Sequence, residues 1–201
     1  MSTVHDRRNQ RGKASFDYGY REQRKKLPNG GYRWVRVPLT LEDVLHPRFG
    51  DVHMLGDPHD DDCNYLKDGL KARFAVDASC VVLSDCGIYW DIPGLRHHCP
   101  DIAVIFGVKR RKDWETFNVK VEKVRPILII EITSPKTRVN DVVKKVEQYA
   151  MAGVRRYVIA DVRLKGGVRR ISLIAYRLVG KAYQRVALDK QGRARLTPVG
   201  L

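Results

Sequence analysis

The sequence has no apolar run that approaches the ~20 consecutive residues needed to cross a bilayer as a helix. Residues 1–12 are mostly polar and charged and lack the apolar core of a secretory signal. A basic amphipathic helix with a large aromatic face, typical of membrane-surface proteins, is also missing. These absences predict a cytoplasmic protein without a membrane partner.

Two short motifs are missing as well. The four cysteines contain no Cys-x-x-Cys pair, so the sequence gives little support for a structural zinc site. The His97-His98-Cys99 run does not change this, because adjacent residues rarely converge on one ion. No Gly-x-Ser-x-Gly elbow is present, which argues against a serine hydrolase.

Positive charge, in contrast, is abundant. The formal net charge is +15 and the sequence pI is about 9.9, while 43% of the residues are hydrophobic, as in a globular protein. Such an excess favours a polyanionic partner. A basic protein with no nucleic-acid role is the alternative, and charge alone does not separate DNA from RNA.

A chain of 201 residues predicts one folded domain with appendages. Residues 1–38 are rich in Arg and Lys and poor in aliphatic side chains, which predicts a flexible basic arm with a turn at 28–31. The folded domain is then expected over 39–201.

Helices and strands alternate irregularly after the arm. Thr40 is expected to cap a short helix, and a longer helix is expected over 59–74. The segment 109–125 is predicted as a strand or a surface loop. Strands are predicted at 79–83, 87–91, 101–106, 127–130, 156–161, 169–178 and 182–188.

A carboxylate interrupts the most apolar segment. Ile127 to Ile130 is an unbroken apolar run, typical of a strand that is buried on both faces, and Glu131 follows it directly. Burying that carboxylate unpaired would cost several kcal/mol. Glu131 is therefore expected either at a cleft or against a cationic group.

The helix that follows carries a second charged pair. Asp141 and Lys145 are i,i+4 neighbours at the edge of an apolar stripe, and Gly153 ends the helix. An ordinary surface ion pair is the alternative for them. The stripe, which is expected to face the core, consists of Val139, Val142, Val143, Val146 and Ala150.

Asp101 begins one buried strand as Glu131 ends another. Two carboxylates from separate strands supply oxygen ligands for a hard cation such as Mg²⁺ or Mn²⁺. With Lys145 nearby to orient a water molecule, the three side chains suit phosphodiester hydrolysis.

These residues resemble the PD-(D/E)XK nuclease superfamily and, more closely, the Uma-two family of restriction-endonuclease-like proteins. The similarity extends over about 39–188. The matching features are Pro100-Asp101, Glu131-Ile132-Thr133-Ser134-Pro135, the four-residue steps Asp141, Lys145 and Tyr149, then Ala152-Gly153-Val154, Tyr157 and Asp161, and upstream His46-Pro47, Gly50-Asp51 and His59.

The resemblance implies an α/β (α+β) restriction-endonuclease-like fold, with a central mixed β-sheet flanked by helices, and a Mg²⁺-dependent (or Mn²⁺-dependent) endodeoxyribonuclease. Asp101, Glu131 and the Ile132 carbonyl would hold the metal. Thr133 stands where the superfamily usually has lysine, and Lys145 on the helix is expected to replace it.

Further candidates accompany this core set. His59 and Asp141, with Thr133, are secondary site candidates, and DNA contacts are expected from Lys109, Arg110, Arg111 and Lys112. A homodimer would suit an enzyme that cuts both strands. The competing hypothesis is a non-catalytic nucleic-acid-binding protein that retains the nuclease fold.

Overall fold

The computed structural model describes residues 16–54, 57–197 and 199, so the first 15 residues of the predicted arm lie outside the described residues. Its strands are β1 (Gly19–Lys26), β2 (Tyr32–Pro38), β3 (Asp51–His53), β4 (Val81–Leu83), β5 (Gly87–Tyr89), β6 (Ile102–Ile105), β7 (Thr116–Asn118), β8 (Leu128–Ile132), β9 (Arg156–Lys165), β10 (Val168–Val179) and β11 (Ala182–Arg185). Its helices are α1 (Leu41–Leu45), α2 (Asp57–Arg73), α3 (Val119–Glu122) and α4 (Lys145–Met151), with a π-helical turn at Asn140–Lys144.

A six-stranded sheet in the order β11-β10-β9-β8-β6-β4 forms the centre. The neighbours β8 and β9 run parallel, and every other pair is antiparallel. The parallel pair needs a crossover, and the segment with the π-helical turn and α4 provides it. The predicted mixed sheet is confirmed.

The strand β8 is buried on both faces, as its apolar run predicts. Ile129 belongs to a core cluster with Tyr149 of α4, whereas Leu128 and Ile130 belong to a second cluster with Leu70 of α2. The sheet therefore lies between α4 and α2, and helices flank it on both sides.

The basic segment before residue 39 is not a flexible arm in its described part. β1 and β2 form an antiparallel hairpin from Tyr20 opposite Pro38 to Lys26 opposite Tyr32, and β1 also pairs with β3. The predicted turn joins the two strands, with Gly30 at φ +83°. Most side chains of these strands are exposed. The sequence of β1 lacks the apolar alternation that predicts a strand, whereas Tyr32-Arg33-Trp34 and Val35-Arg36-Val37 of β2 do alternate.

Several local predictions hold, and others need correction. Thr40 accepts a hydrogen bond from the Asp43 N–H in a reciprocal capping box at α1. The strands β4 and β5 do not pair with each other, since β5 runs parallel to β7. The segment 109–125 contains both β7 and the short helix α3.

The longest helix is α2, with 17 residues and a largely polar sequence. Among the residues that the structure describes, no helix combines the length and apolarity that a membrane crossing requires.

A buried aspartate ties the middle of β9 to the segment that precedes α4. Asp161 is 1% exposed and accepts hydrogen bonds from Arg138 Nε at 2.6 Å and Arg163 Nε at 2.9 Å. The hydrogen bond from Arg138 is the main cause that lowers the pKa of Asp161 to about 2. The ionised form of Asp161 thus stabilises this junction.

Replacing Asp161 with Asn is expected to lower the free energy of unfolding by about 2 kcal/mol at pH 7. A depressed pKa stabilises the fold above the unfolded-state value, and this contribution is lost as the pH falls through about 2. Urea titrations between pH 7 and pH 2.5 should show the deficit shrinking with acid, while the exposed control Asp68→Asn stays near wild type throughout. A deficit that does not vary with pH would contradict the ionic origin.

Candidate active site

Neighbouring strands bring two carboxylates to one cleft. In the antiparallel pair of β6 and β8, Ile102 lies opposite Ile130, so the next step of the register places Asp101 beside Glu131. Both side chains line the same cleft. Asp101 Oδ2 also accepts a hydrogen bond of 2.6 Å from the Ile132 N–H, which fixes the carboxylate against β8.

The helix after β8 turns its charged pair inward, and of its predicted valine stripe only Val142 and Val146 pack, partly buried, against the core. Asp141 is 4% exposed and Lys145 8%, whereas Val139 and Val143 are 45% and 54% exposed. The predicted inward orientation of these two valines is therefore wrong. In the π-helical turn the Lys145 N–H donates to the Asn140 carbonyl, five residues back, so regular α-helical periodicity does not apply there.

The buried charges form an ion-paired triad. Lys145 Nζ lies 2.9 Å from Glu131 Oε2 and 2.8 Å from Asp141 Oδ1, so the surface-pair alternative does not hold. Burial raises the pKa of both carboxyls, and the ammonium of Lys145 opposes the rise. Burial alone would lower the pKa of Lys145, yet the charges of Asp141 and Glu131 outweigh it and raise that pKa. Lys145 is therefore protonated at neutral pH.

Two tyrosines complete the hydrogen bonding of this triad. The Tyr149 hydroxyl donates to Glu131 Oε1 at 2.6 Å, and the Tyr157 hydroxyl donates to the Asp141 carbonyl at 2.8 Å. Both rings are fully buried. The sequence interpretation of these tyrosines as core residues with a polar tip agrees with this arrangement, which locks the Glu131 rotamer.

The His59 side chain, near the start of α2, contacts Asp101, whose carboxylate also accepts the hydrogen bond from the Ile132 N–H. Its Nε2 lies 3.4 Å from Asp101 Oδ1. This hydrogen bond is the main cause that raises the pKa of His59 to about 11. The secondary candidate His59 is thus brought to the cleft.

Thr133 has a different place. Its hydroxyl accepts a hydrogen bond from the Val162 N–H at 2.8 Å and lies 3.4 Å from Asp161 Oδ1. These partners lie in the middle of β9, so Thr133, directly after β8, ties two strands together. Lys145 occupies the charged position beside Glu131 instead.

The cleft contains other polar residues that sequence reasoning did not place there. Asp85 lies in the turn after β4 at φ +50° and also lines the cleft. Cys63 is buried behind His59, one helical turn away. The i,i+4 spacing of His59 and Cys63 was the available signal for this pair.

The basic run after β6 lies away from the carboxylates. All four residues, Lys109, Arg110, Arg111 and Lys112, are exposed. Arg111 donates to the Cys80 carbonyl at 2.7 Å, and Lys112 lies 2.6 Å from Glu122. Both line a groove that meets the cleft at Asp85, which belongs to the walls of each.

A family model described as "Putative restriction endonuclease" and named Uma2 matches residues 50–200. The chain belongs to the Uma2 family. This match contains the whole central sheet, α2, α4 and every residue of the buried triad. The hairpin of β1 and β2 precedes it.

A solved structure supports the fold of this Uma2 protein. The chain superposes with a TM-score of 0.53 on a crystal structure described as "a putative nuclease belonging to DUF820" from Anabaena variabilis ATCC 29413. The sequences are 15% identical, and the likeness covers 82% of this chain and 87% of that one. Among curated proteins, none matches the chain. The restriction-endonuclease-like fold is thereby confirmed.

Proposed function

We propose that this Uma2 protein is a divalent-metal-dependent endonuclease that hydrolyses DNA phosphodiester bonds. The observation that carries the proposal is the convergence of Asp101, Glu131 and Lys145 on one cleft. The formal net charge of +15 favours a polyanionic substrate. Membership of the Uma2 family agrees with this reaction class.

The residues at the cleft suit a hard cation. The cleft is lined by more carboxyl groups than cationic groups: Asp17, Asp85, Asp101, Glu131 and Asp141 against Lys136, Lys145 and His59. Oxygen donors of this kind favour Mg²⁺ or Mn²⁺. We assign Asp101, Glu131 and the Ile132 carbonyl as its ligands. When bound, the ion would polarise a phosphoryl oxygen and lower the pKa of a coordinated water.

Lys145 has the electrostatic role in this proposal. Its ammonium stays protonated between Asp141 and Glu131, so it is a hydrogen-bond donor and not a general base. It would orient the attacking water and neutralise charge that develops on the phosphate. Asp141 positions it from the same helix.

The groove that meets the cleft at Asp85 offers a path for the DNA backbone. Lys67, Lys71, Arg111 and Lys112 line it, so phosphates leaving the cleft would pass four cationic side chains. Lys109 and Arg110 extend this basic surface in our proposal. A homodimer would allow the enzyme to cut both DNA strands. A cytoplasmic location is compatible with DNA as the substrate.

The contacts of Glu131 also favour a second candidate function, a non-catalytic DNA-binding protein. Tyr149 already occupies Oε1 and Lys145 occupies Oε2. A glutamate with both oxygens satisfied and 1% exposure can serve the fold alone. The two functions differ in metal-dependent cleavage, not in DNA binding.

Incubating the protein with supercoiled plasmid and with single-stranded DNA tests the proposal. Mg²⁺ or Mn²⁺ is expected to give nicked plasmid, and EDTA should abolish it. Asp101→Asn should lower the nicking rate by at least ~10³-fold, because a neutral amide is a poor ligand for a hard cation.

Asp91→Asn is the matched control, since Asp91 pairs with Arg125 and does not line the cleft. Binding should fall steeply with salt for wild type and both variants. Tight, salt-sensitive binding without cleavage of either substrate would favour the non-catalytic function. Weak binding that does not respond to salt would contradict both.

A further inference from the structure

A second group of potential metal ligands lies beside the proposed Mg²⁺ site. His59 and Cys63 are one turn apart on α2, and Asp101 approaches them from the start of β6. One ligand atom of each residue, the imidazole nitrogen, the thiol sulfur and a carboxylate oxygen, lies within 4.8 Å of the other two. The group combines nitrogen, sulfur and oxygen donors.

Two of the three spacings match the edges of a tetrahedral site, and the third, from Cys63 Sγ to an Asp101 oxygen, is within 4.8 Å. His59 Nε2 lies 3.5 Å from Cys63 Sγ and 3.4 Å from Asp101 Oδ1. Around a zinc ion with usual bond lengths and tetrahedral angles, the corresponding edges are about 3.5 Å for nitrogen to sulfur and about 3.3 Å for nitrogen to oxygen. An ion can therefore enter with little movement of the side chains.

The three ligand residues leave the site open to the cleft, and they leave room for a fourth ligand to the metal ion. The His59 and Asp101 side chains are 13% and 14% exposed, and both line the cleft, whereas Cys63 is buried behind them. Asp85 lines the same cleft and, directly or through water, could supply a fourth ligand. His59 Nδ1 has no hydrogen-bond partner among the described residues, so no contact on that nitrogen opposes coordination through Nε2.

We propose that His59, Cys63 and Asp101 bind a borderline transition-metal ion, Zn²⁺ above all, at a site that shares only Asp101 with the oxygen-only Mg²⁺ site. A thiolate ligand selects against Mg²⁺ and favours Zn²⁺. On binding, the Cys63 thiol and the His59 imidazolium each release one proton, and sulfur and nitrogen bond to the ion. The site itself does not depend on the proposed nuclease function.

The regulatory consequence of this Zn²⁺ site does rest on the proposed nuclease function. Asp101 is a member of both sites, so a Zn²⁺ ion held by Cys63 and His59 would draw Asp101 away from Mg²⁺. Zn²⁺ should accordingly inhibit the Mg²⁺-dependent cleavage. The nuclease would then respond to the free Zn²⁺ concentration.

Titration with Co²⁺ followed by absorption spectroscopy tests the site without any activity assay. Wild type is expected to show a near-ultraviolet thiolate-to-cobalt charge-transfer band and the visible bands of tetrahedral Co²⁺, both displaced by Zn²⁺. Cys63→Ser should lose the charge-transfer band and bind Zn²⁺ at least ~100-fold more weakly. Cys99→Ser is the control, because Cys99 lines the cleft outside the ligand group, and it should keep the band.

His59→Gln provides a second variant, since serine at the buried position 63 could impair folding. It should lower Zn²⁺ affinity and abolish the thermal stabilisation that Zn²⁺ gives wild type. A charge-transfer band that persists in Cys63→Ser, or that is lost in Cys99→Ser, would overturn the proposal. So would unchanged Zn²⁺ binding in His59→Gln.

Inhibition is measured separately on plasmid nicking at fixed Mg²⁺. The Zn²⁺ concentration that halves the rate should rise at least ~10-fold in Cys63→Ser, with each protein compared to its own Zn²⁺-free rate. If nicking is absent in wild type, the proposed nuclease function fails while the Co²⁺ spectra still decide the metal site. Equal inhibition of wild type and Cys63→Ser would overturn the regulatory consequence alone.

Discussion

Glu131→Gln is expected to reduce plasmid nicking by at least ~10³-fold while the free energy of unfolding falls by about 1–3 kcal/mol. The amide keeps the shape of the side chain but removes the charge that would hold a divalent ion. Its oxygen can face Lys145 and its NH2 can donate to the Tyr149 hydroxyl oxygen, but the hydrogen of that hydroxyl then loses the acceptor that Glu131 Oε1 provides. Burial already raises the pKa of Glu131, which makes loss of the charge inexpensive for the fold.

Glu147→Gln serves as the control, because Glu147 is exposed on the same helix. Nicking rates in Mg²⁺ and urea unfolding at pH 7 should be measured for the three proteins together. A rate for Glu131→Gln within tenfold of wild type would rule out Glu131 as a metal ligand. Equal losses of stability and activity would instead indicate that Glu131 serves the fold.

Lys145→Met is expected to abolish nicking and to lower the free energy of unfolding by about 3–5 kcal/mol at pH 7. The Glu131 and Asp141 side chains, only 2% and 5% exposed, would lose the cation between them. Their folded-state pKa values, which burial already raises, would rise further without the ammonium of Lys145. The folded protein would bind more protons than the unfolded chain, so stability should fall as the pH rises and recover toward pH 5.

Lys144→Met is the matched control for this experiment. Lys144 is the preceding residue, its side chain is 42% exposed, and its partner Glu42 is 54% exposed, so a change within about 1 kcal/mol is expected. Adding Asp141→Asn to Lys145→Met should restore part of the stability but none of the activity. A loss for Lys145→Met no larger than for Lys144→Met would show that the buried triad is energetically unimportant.

The sequence predicts the strands of the site more accurately than the helix of the site. The apolar run before Glu131 predicts β8 correctly, because burial on both faces needs only local composition. Asp101 at the start of β6 follows from the same logic. Gly153, at φ +74°, ends the helical segment as predicted, since few residues other than glycine adopt that conformation.

The helix face was predicted wrongly for a physical reason. Hydrophobic periodicity assigns valines inward and charges outward, and it has no means of recognising that Lys145 is neutralised by a carboxylate from β8. The hairpin and the Cys63 contact were missed for the same reason, because their partners are distant in the chain. The hairpin pairs with β3 across α1, and Cys63 meets Asp101 across 38 residues.

The π-helical turn makes the length of this segment a determinant of the site. Deleting Val143 would shorten the step from Asp141 to Lys145 from four residues to three, which turns the Lys145 side chain by about 100° relative to Asp141. The ammonium of Lys145 would then no longer lie between the two carboxylates. Substitutions at exposed Val143 should be tolerated far better than any insertion or deletion beside it. We therefore expect related sequences to keep the number of residues between Glu131 and Tyr149 constant. Most of the residues within that segment should be free to vary.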